Sequence, residues 1–179
     1  MTTSSKTLLA SILIALSTST LPAQNIQKGT YGYLYCHMSD NGEFTAYALS
    51  RDGLHYHDLN GGKAIMDASK LAGIEGGQRD AYVCRKSDSG KGYLMVTTDM
   101  CVAKSHEWFN YGINLLKSDD LIHWTSTTFD FRKGNEIFCD PDSPDIIADW
   151  EKIDRVWAPH IFWDPNYVWT NGERGGYFI

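Results

Sequence analysis

Residues 112–126 read GINLLKSDDLIHWTS, and residues 45–59 read TAYALSRDGLHYHDL. The two share a frame. An apolar run ends at a serine, Ser50 or Ser118, and an acidic turn follows, Arg51-Asp52-Gly53 or Asp119-Asp120. Then come a leucine, a histidine and an aromatic ring, Tyr56 or Trp124. Short apolar runs bounded by turn residues read as strands, so each copy predicts strand, tight turn, strand.

A second echo precedes each copy. GYLYCHM starts at Gly32, GYLMVTT at Gly92, and GYFI at Gly176. The unit is then strand, loop, strand, tight turn, strand. The interval is 60 residues between the first two copies and 84 to the third. The longer interval holds an acidic insert, FRKGNEIFCDPDSPDIIADWEK, at 131–152. Helix signals are scarce from residue 30 onward, with single helical turns expected at 66–71 and 146–151. A repeat of roughly 40–60 residues built from short strands is the mark of a propeller blade. The fold class expected is therefore all-β, a β-propeller. A blade buries its faces on its neighbours, and a ring needs at least about four blades. This chain holds about the first two to three and stops at Ile179 inside a strand-like run, so it is expected to be the front part of a longer protein.

The bulk numbers agree with a packed domain. The chain has 179 residues, of which 42% are hydrophobic and 13% aromatic, enough for one core. Net charge is −6 and no run of Lys/Arg occurs, which argues against nucleic acid and anionic membrane as partners. The N-terminus has the form of an export signal: Lys6, then the apolar Leu8 to Leu16, then STSTLPAQ. Such an apolar run is short of the roughly 20 residues that span a bilayer. We expect a signal peptide over 1–23, cut after Ala23, a propeller portion over 24–179, and a periplasmic or extracellular location without a membrane span. Of the cysteines, Cys36 and Cys84 lie in strand-like runs and read as buried thiols, while the disulfide state of Cys101 and Cys139 stays open. No His/Cys/Asp cluster has metal-ligand spacing, so no metal or other cofactor is implied within the chain.

Polar residues at the starts of inner strands converge at one mouth of a propeller. Two stretches fit: EGGQRDAYVC at 75–84 and RVWAPHIFWD at 155–164. In the first, Gly76-Gly77 reads as a flexible approach and Asp80 as a rim residue ahead of the apolar Ala81 to Cys84. In the second, Pro159 restricts Ala158 to extended backbone and suits a strand start. His160 follows at the rim. Asp99, after Val96-Thr97-Thr98, reads as a strand-end turn residue, and His37 as a packing residue. Trp157, Trp163, Tyr167 and Trp169 crowd one segment and suit either sugar stacking or blade packing; of these, Trp157 is the site candidate.

Taken in order, GGQRDAYVCR, KGYLMVTTD, INLLKSDDLIHWT and RVWAPHIFWD resemble glycoside hydrolase family 43, over roughly residues 30–179. The resemblance implies a five-bladed propeller that hydrolyses arabinose- and xylose-containing polysaccharide by an inverting single displacement. It implies three acids from successive blades: a base Asp, an Asp that tunes the acid, and a Glu general acid. Asp80 matches the base, although Ala81 stands where the family often has proline. Arg79 would hold Asp80 ionised or grip a sugar hydroxyl, and Trp157 and His160 would border the sugar. The general acid is expected in a later blade, beyond Ile179. Some members hold a structural calcium ion in the channel, but no residue here locates one. Two alternatives stay open: a non-catalytic carbohydrate-binding propeller, and a relative of the fructan-cleaving families.

Overall fold

The computed structural model describes residues 32–39, 42–67, 70–71, 73–87, 90–133 and 152–179. The expected signal peptide over 1–23, the helical turn at 146–151 and Cys139 lie outside these residues.

Among the described residues the chain is all-β, in three antiparallel sheets whose strands pair with their sequence neighbours. The first holds β1 (Tyr33–Met38), β2 (Thr45–Ser50) and β3 (His57–Asp58). The second holds β4 (Arg79–Arg85), β5 (Tyr93–Thr98), β6 (Gly112–Ser118) and β7 (Thr125–Asp130). The third holds β8 (Phe162–Val168) and β9 (Arg174–Phe178). One short helix, α1 (Val102–Ser105), interrupts the β5–β6 connection. In the expected helical turn at 66–71, residues 68 and 69 lie outside the described residues, and the Lys70 N–H donates to the Asp67 carbonyl at 2.9 Å.

The repeat is real in three dimensions. β1-β2-β3 and β5-β6-β7 are the same strand-loop-strand-turn-strand unit, and β4 adds a strand ahead of the second copy. The Gly-Tyr pair opens β1 and β5 in the same register: Tyr33 lies opposite Ser50, and Tyr93 opposite Ser118. That register accounts for the glycine. A Cβ at Gly92 would sit 3.0 Å from the Ser118 carbonyl oxygen, and one at Gly32 would sit 3.3 Å from that of Ser50. Any side chain there would crowd the turn that the serine begins.

The turns match bond for bond. Asp120 accepts the N–H groups of Ile122 and His123 at 2.8 Å each, and its other oxygen lies 2.7 Å from His123 Nδ1. Asp52 accepts those of Leu54 and His55 at 2.9 Å each, with His55 Nδ1 at 2.7 Å. Ser118 and Ser50 donate their hydroxyls to the same aspartates. These bonds, led by the histidine's backbone N–H, hold both carboxyls below the ordinary carboxylate range. A depressed folded-state pKa stabilises the fold above the unfolded-state pKa and loses that contribution as acid protonates the native carboxylate. Asp120→Ala should therefore lower the urea midpoint at pH 7, and the gap to wild type should narrow below about pH 4. An equal gap at pH 7 and pH 3 would contradict this.

The core lies between the first two sheets. Tyr47, Met95, Leu116 and Trp124 form its centre, with Leu34, Cys36, Ala81, Val83 and Leu121 packed around them. Met95 and Leu116 are fully buried, each worth about 1.5–3 kcal/mol of transfer free energy. The two aromatics at the equivalent repeat positions part company here. Trp124 is buried and donates its Nε1–H to the Leu121 carbonyl at 3.1 Å, whereas Tyr56 stays 41% exposed and leans on Tyr35. Cys36, Cys84 and Cys101 are half-buried free thiols, and burial pushes Cys36 up to about 11. An open cleft of about 550 Å³ runs between β1 and β4, lined by Leu34, Cys36, Ala81, Tyr82 and Cys84 among others.

Candidate functional site

The approach to β4 is clamped rather than flexible. Gly77 is buried, and a Cβ on it would fall 1.7 Å from the Met100 carbonyl oxygen. Its own carbonyl accepts from Asn114 Nδ2 at 2.9 Å. The Gln78 N–H donates to the Glu43 carbonyl at 2.7 Å, and the Gln78 carbonyl accepts from Thr45 Oγ1 at 2.9 Å. Asp99 completes the clamp. It is fully buried, and its carboxylate takes the N–H groups of Ile74, Glu75 and Gly76, the last two at 3.1 and 2.9 Å. The strand-end role read for Asp99 is a structural one in this fold.

After this clamp the strand bulges. β4 pairs Arg79 with Thr98 and Tyr82 with Val96, so two residues of β4 stand where β5 has one. Bulges re-aim side chains and are common beside active sites. Asp80 sits in the bulge with φ +53° and is exposed. Holding a non-glycine residue there costs on the order of 1–3 kcal/mol, so something must hold it. Thr98, fully buried, donates its hydroxyl to Asp80 Oδ2 at 2.8 Å. The same hydroxyl oxygen accepts the Ala158 N–H, also at 2.8 Å.

Ala158 corrects one expectation. Its φ is +49°, in the left-handed region, not the extended conformation that a following proline favours. The bond to Thr98 accounts for the departure. One buried hydroxyl thus ties the Trp157-Ala158-Pro159 segment to Asp80. Thr98→Val removes that hydroxyl at constant shape and leaves the Ala158 N–H without its acceptor. We expect a loss of about 1–3 kcal/mol by urea denaturation, largely restored by Thr98→Ser; a Val variant as stable as wild type would contradict it.

Arg79 corrects another. Its guanidinium does not serve Asp80: Nη1 lies 3.2 Å from Glu43 Oε2, and both side chains are about 15% exposed, at 16% and 14%. Adjacency along the chain does not pair the two side chains, because the bulge interrupts the ladder directly after Arg79. Glu43 also takes the N–H groups of Val102 and Ala103, at 3.0 and 2.8 Å. The guanidinium then stacks over the Trp108 ring, 5.4 Å to its centre. Trp108 meets Trp157 edge to face, with ring centres 6.1 Å apart and planes at 69°. Asn110 fixes that meeting. Fully buried, it donates to the Val156 carbonyl and accepts the Val156 N–H, each at 2.9 Å.

His160 lies on the Tyr82 ring, 3.9 Å between centres, and is exposed. His37 is held by the Met38 carbonyl and by Asp58, at 2.9 and 3.2 Å, a packing role. The other crowded aromatics are also structural. Trp163 packs on Tyr177, and Tyr167 on Trp169 and Phe178, all within the β8–β9 hairpin. Trp157 alone of that group joins the rings beside Arg79.

The starts of β4 and β8 therefore bring together the neighbourhood of Arg79, Asp80, Trp157 and His160. Residues 29–179 match the family described as a probable glycosyl hydrolase domain, in the group related to family 43. The chain belongs to this family. Neither a curated protein nor a solved structure matches it. In this glycosyl hydrolase-related domain, Asp80 is a solvent-facing carboxylate with one oxygen hydrogen-bonded and fixed. Sequence reasoning passed over Thr98, Glu43, Trp108 and Asn110. Thr98 and Asn110 carried no signal of their own, since ordinary strand and loop residues look alike until the fold supplies their partners. Trp108 did carry one, a tryptophan in a polar loop. Among the described residues no group of three or more His, Cys, Asp and Glu is placed to hold a metal ion. No helix of the described residues is long and apolar enough to cross a membrane.

Proposed function

We propose that the chain is part of an exported five-bladed β-propeller that hydrolyses α-L-arabinofuranosyl or β-xylosyl linkages in plant polysaccharide. The three sheets are read as consecutive blades. The observation that carries the catalytic reading is Asp80: exposed, in a bulge, and latched through Thr98 to the neighbouring Trp-Ala-Pro segment.

In this reading Thr98 occupies Oδ2, and Oδ1 accepts a proton from water. The water oxygen attacks the anomeric carbon from the face opposite the leaving group, so the centre inverts. The bond to the leaving oxygen breaks, and that oxygen takes a proton from a second acid. Asp80 is the base of this pair, and Trp157 and His160 border the sugar. Arg79 acts indirectly, by holding Trp108. The leader at 1–23 directs export to the periplasm or beyond, and the partner is an oligo- or polysaccharide.

The test is a product assay. Because this reading places the general acid beyond Ile179, the product of the complete gene, rather than residues 1–179 alone, is incubated with arabinan, arabinoxylan, xylan and inulin, and released sugars are separated by chromatography. Arabinose or xylose supports the reading. Fructose would reassign the chain to the fructan-cleaving relatives. Binding without release from any of the four would favour a non-catalytic carbohydrate-binding propeller.

A further inference from the structure

Resting on that reading of the site, we infer that Trp108 is a substrate-binding residue that stacks a second sugar ring beside the one at Asp80, so that the site takes oligosaccharides in preference to single sugars. Three observations carry it.

The first is exposure. Trp108 is 56% exposed and Trp157 45% exposed, although they touch edge to face. Two large rings left in water at one corner represent an unfavourable arrangement that packing alone does not require. In the β8–β9 hairpin, by contrast, Trp163, Tyr167, Trp169, Tyr177 and Phe178 are half-buried against one another, and of its aromatics only Phe162 is exposed, at 50%.

The second is rigidity. The Trp108 ring is backed by the Arg79 guanidinium, which Glu43 holds by an ion pair. The same Glu43 carboxylate holds the backbone of Val102 and Ala103, at the start of the loop that carries Trp108. Asn110, two residues on, fastens that loop to Val156, next to Trp157. Both ends of the loop are tied down, so the ring is in place before a ligand arrives. Less conformational freedom is then lost on binding.

The third is position. Arg79, which backs Trp108, immediately precedes Asp80, and Trp157 immediately precedes Ala158, which is latched to Asp80 through Thr98. The aromatic corner is thus tied to the Asp80 carboxylate through the Trp157–Ala158 segment, since the Thr98 hydroxyl bonds both the Ala158 N–H and Asp80. The axial C–H face of a pyranose or furanose ring is apolar and flat enough to lie on an indole, while its hydroxyls stay in water.

The test is isothermal titration calorimetry of the product of the complete gene with linear arabinotetraose and xylotetraose, and with arabinose and xylose. Trp108→Ala should weaken tetrasaccharide binding on the order of tenfold or more, while Trp108→Phe, which keeps a ring, loses less. Binding of the single sugars should change little, an outcome that a merely structural role would not give. Unchanged tetrasaccharide affinity in Trp108→Ala would overturn the inference, as would an equal loss for single sugars and tetrasaccharides. If wild type binds none of the probes, the inference and the carbohydrate reading fail together. If tetrasaccharides bind through Trp108 but Asp80→Asn hydrolyses them as well as wild type does, the base assignment fails and the stacking role of Trp108 stands.

Discussion

Asp80→Asn is expected to lower turnover by about 10²–10⁴-fold with little change in KM, the range that removal of a general base commonly gives. The substitution is nearly isosteric. The asparagine oxygen can still accept from Thr98, so the bulge and its latch to Ala158 should persist. What disappears is the ability to take a proton from water. The measurement is initial rate against arabinan or arabinoxylan, whichever the product assay selects, with thermal unfolding as the structural control. A variant within about threefold of wild type at matched stability would remove Asp80 from the mechanism, since a base contributes far more than that.

Gly77→Ala is expected to be the most damaging small substitution in the fold. The added methyl would fall 1.7 Å from the Met100 carbonyl oxygen and 2.4 Å from its carbon. Both are backbone atoms, and they cannot swing aside as a flexible side chain can. Overpacking typically costs about 1–3 kcal/mol and sometimes more, and here relief requires moving one backbone segment against another. Such a shift would pull on the Asn114 bond to the Gly77 carbonyl, and on the neighbouring Gln78 bonds to Glu43 and Thr45. We expect a loss of at least about 3 kcal/mol, which for a domain of this size lowers Tm by roughly 10 °C. Gly61→Ala separates steric contact from backbone conformation. Gly61 has φ +62° and nothing within 4 Å of its would-be Cβ, so only conformational strain is at stake, on the order of 1 kcal/mol. Similar Tm values for the two variants would contradict the close-approach argument.

These two positions also mark where sequence reading succeeds and where it stops. The exposure of Asp80 was legible, because a carboxylate at the start of an apolar strand has few places to go. The strand's later residues are drawn to the core, and the charge stays in water. Gly77 was visible only as glycine. A sequence presents the same letter for a flexible hinge and for a place where another backbone comes within contact distance, and the reading chose the hinge. Met100 lies 23 residues away, across a strand pairing, and only that pairing brings its carbonyl to Gly77. Arg79 failed in the same manner. Its neighbour in sequence is Asp80, but its partner is Glu43, 36 residues earlier, because the clamp at Gln78 brings the start of β4 against the residue that precedes β2.

The sequence by itself determined the repeated unit and the all-β class. Those rest on interactions a few residues long: alternation along each strand, and the serine, aspartate and histidine that close the turns at Ser50 and Ser118. Local bonds of this kind are written in local spacing. Membership in the glycosyl hydrolase-related family rests on the match over residues 29–179. Tertiary structure alone decided what surrounds Asp80. The Thr98 hydroxyl, the left-handed Ala158, the Glu43–Arg79–Trp108 stack and the Asn110 clasp each join segments roughly 18 to 60 residues apart. Contacts over such separations depend on how strands pair and how sheets pack, and no spacing along the chain encodes them.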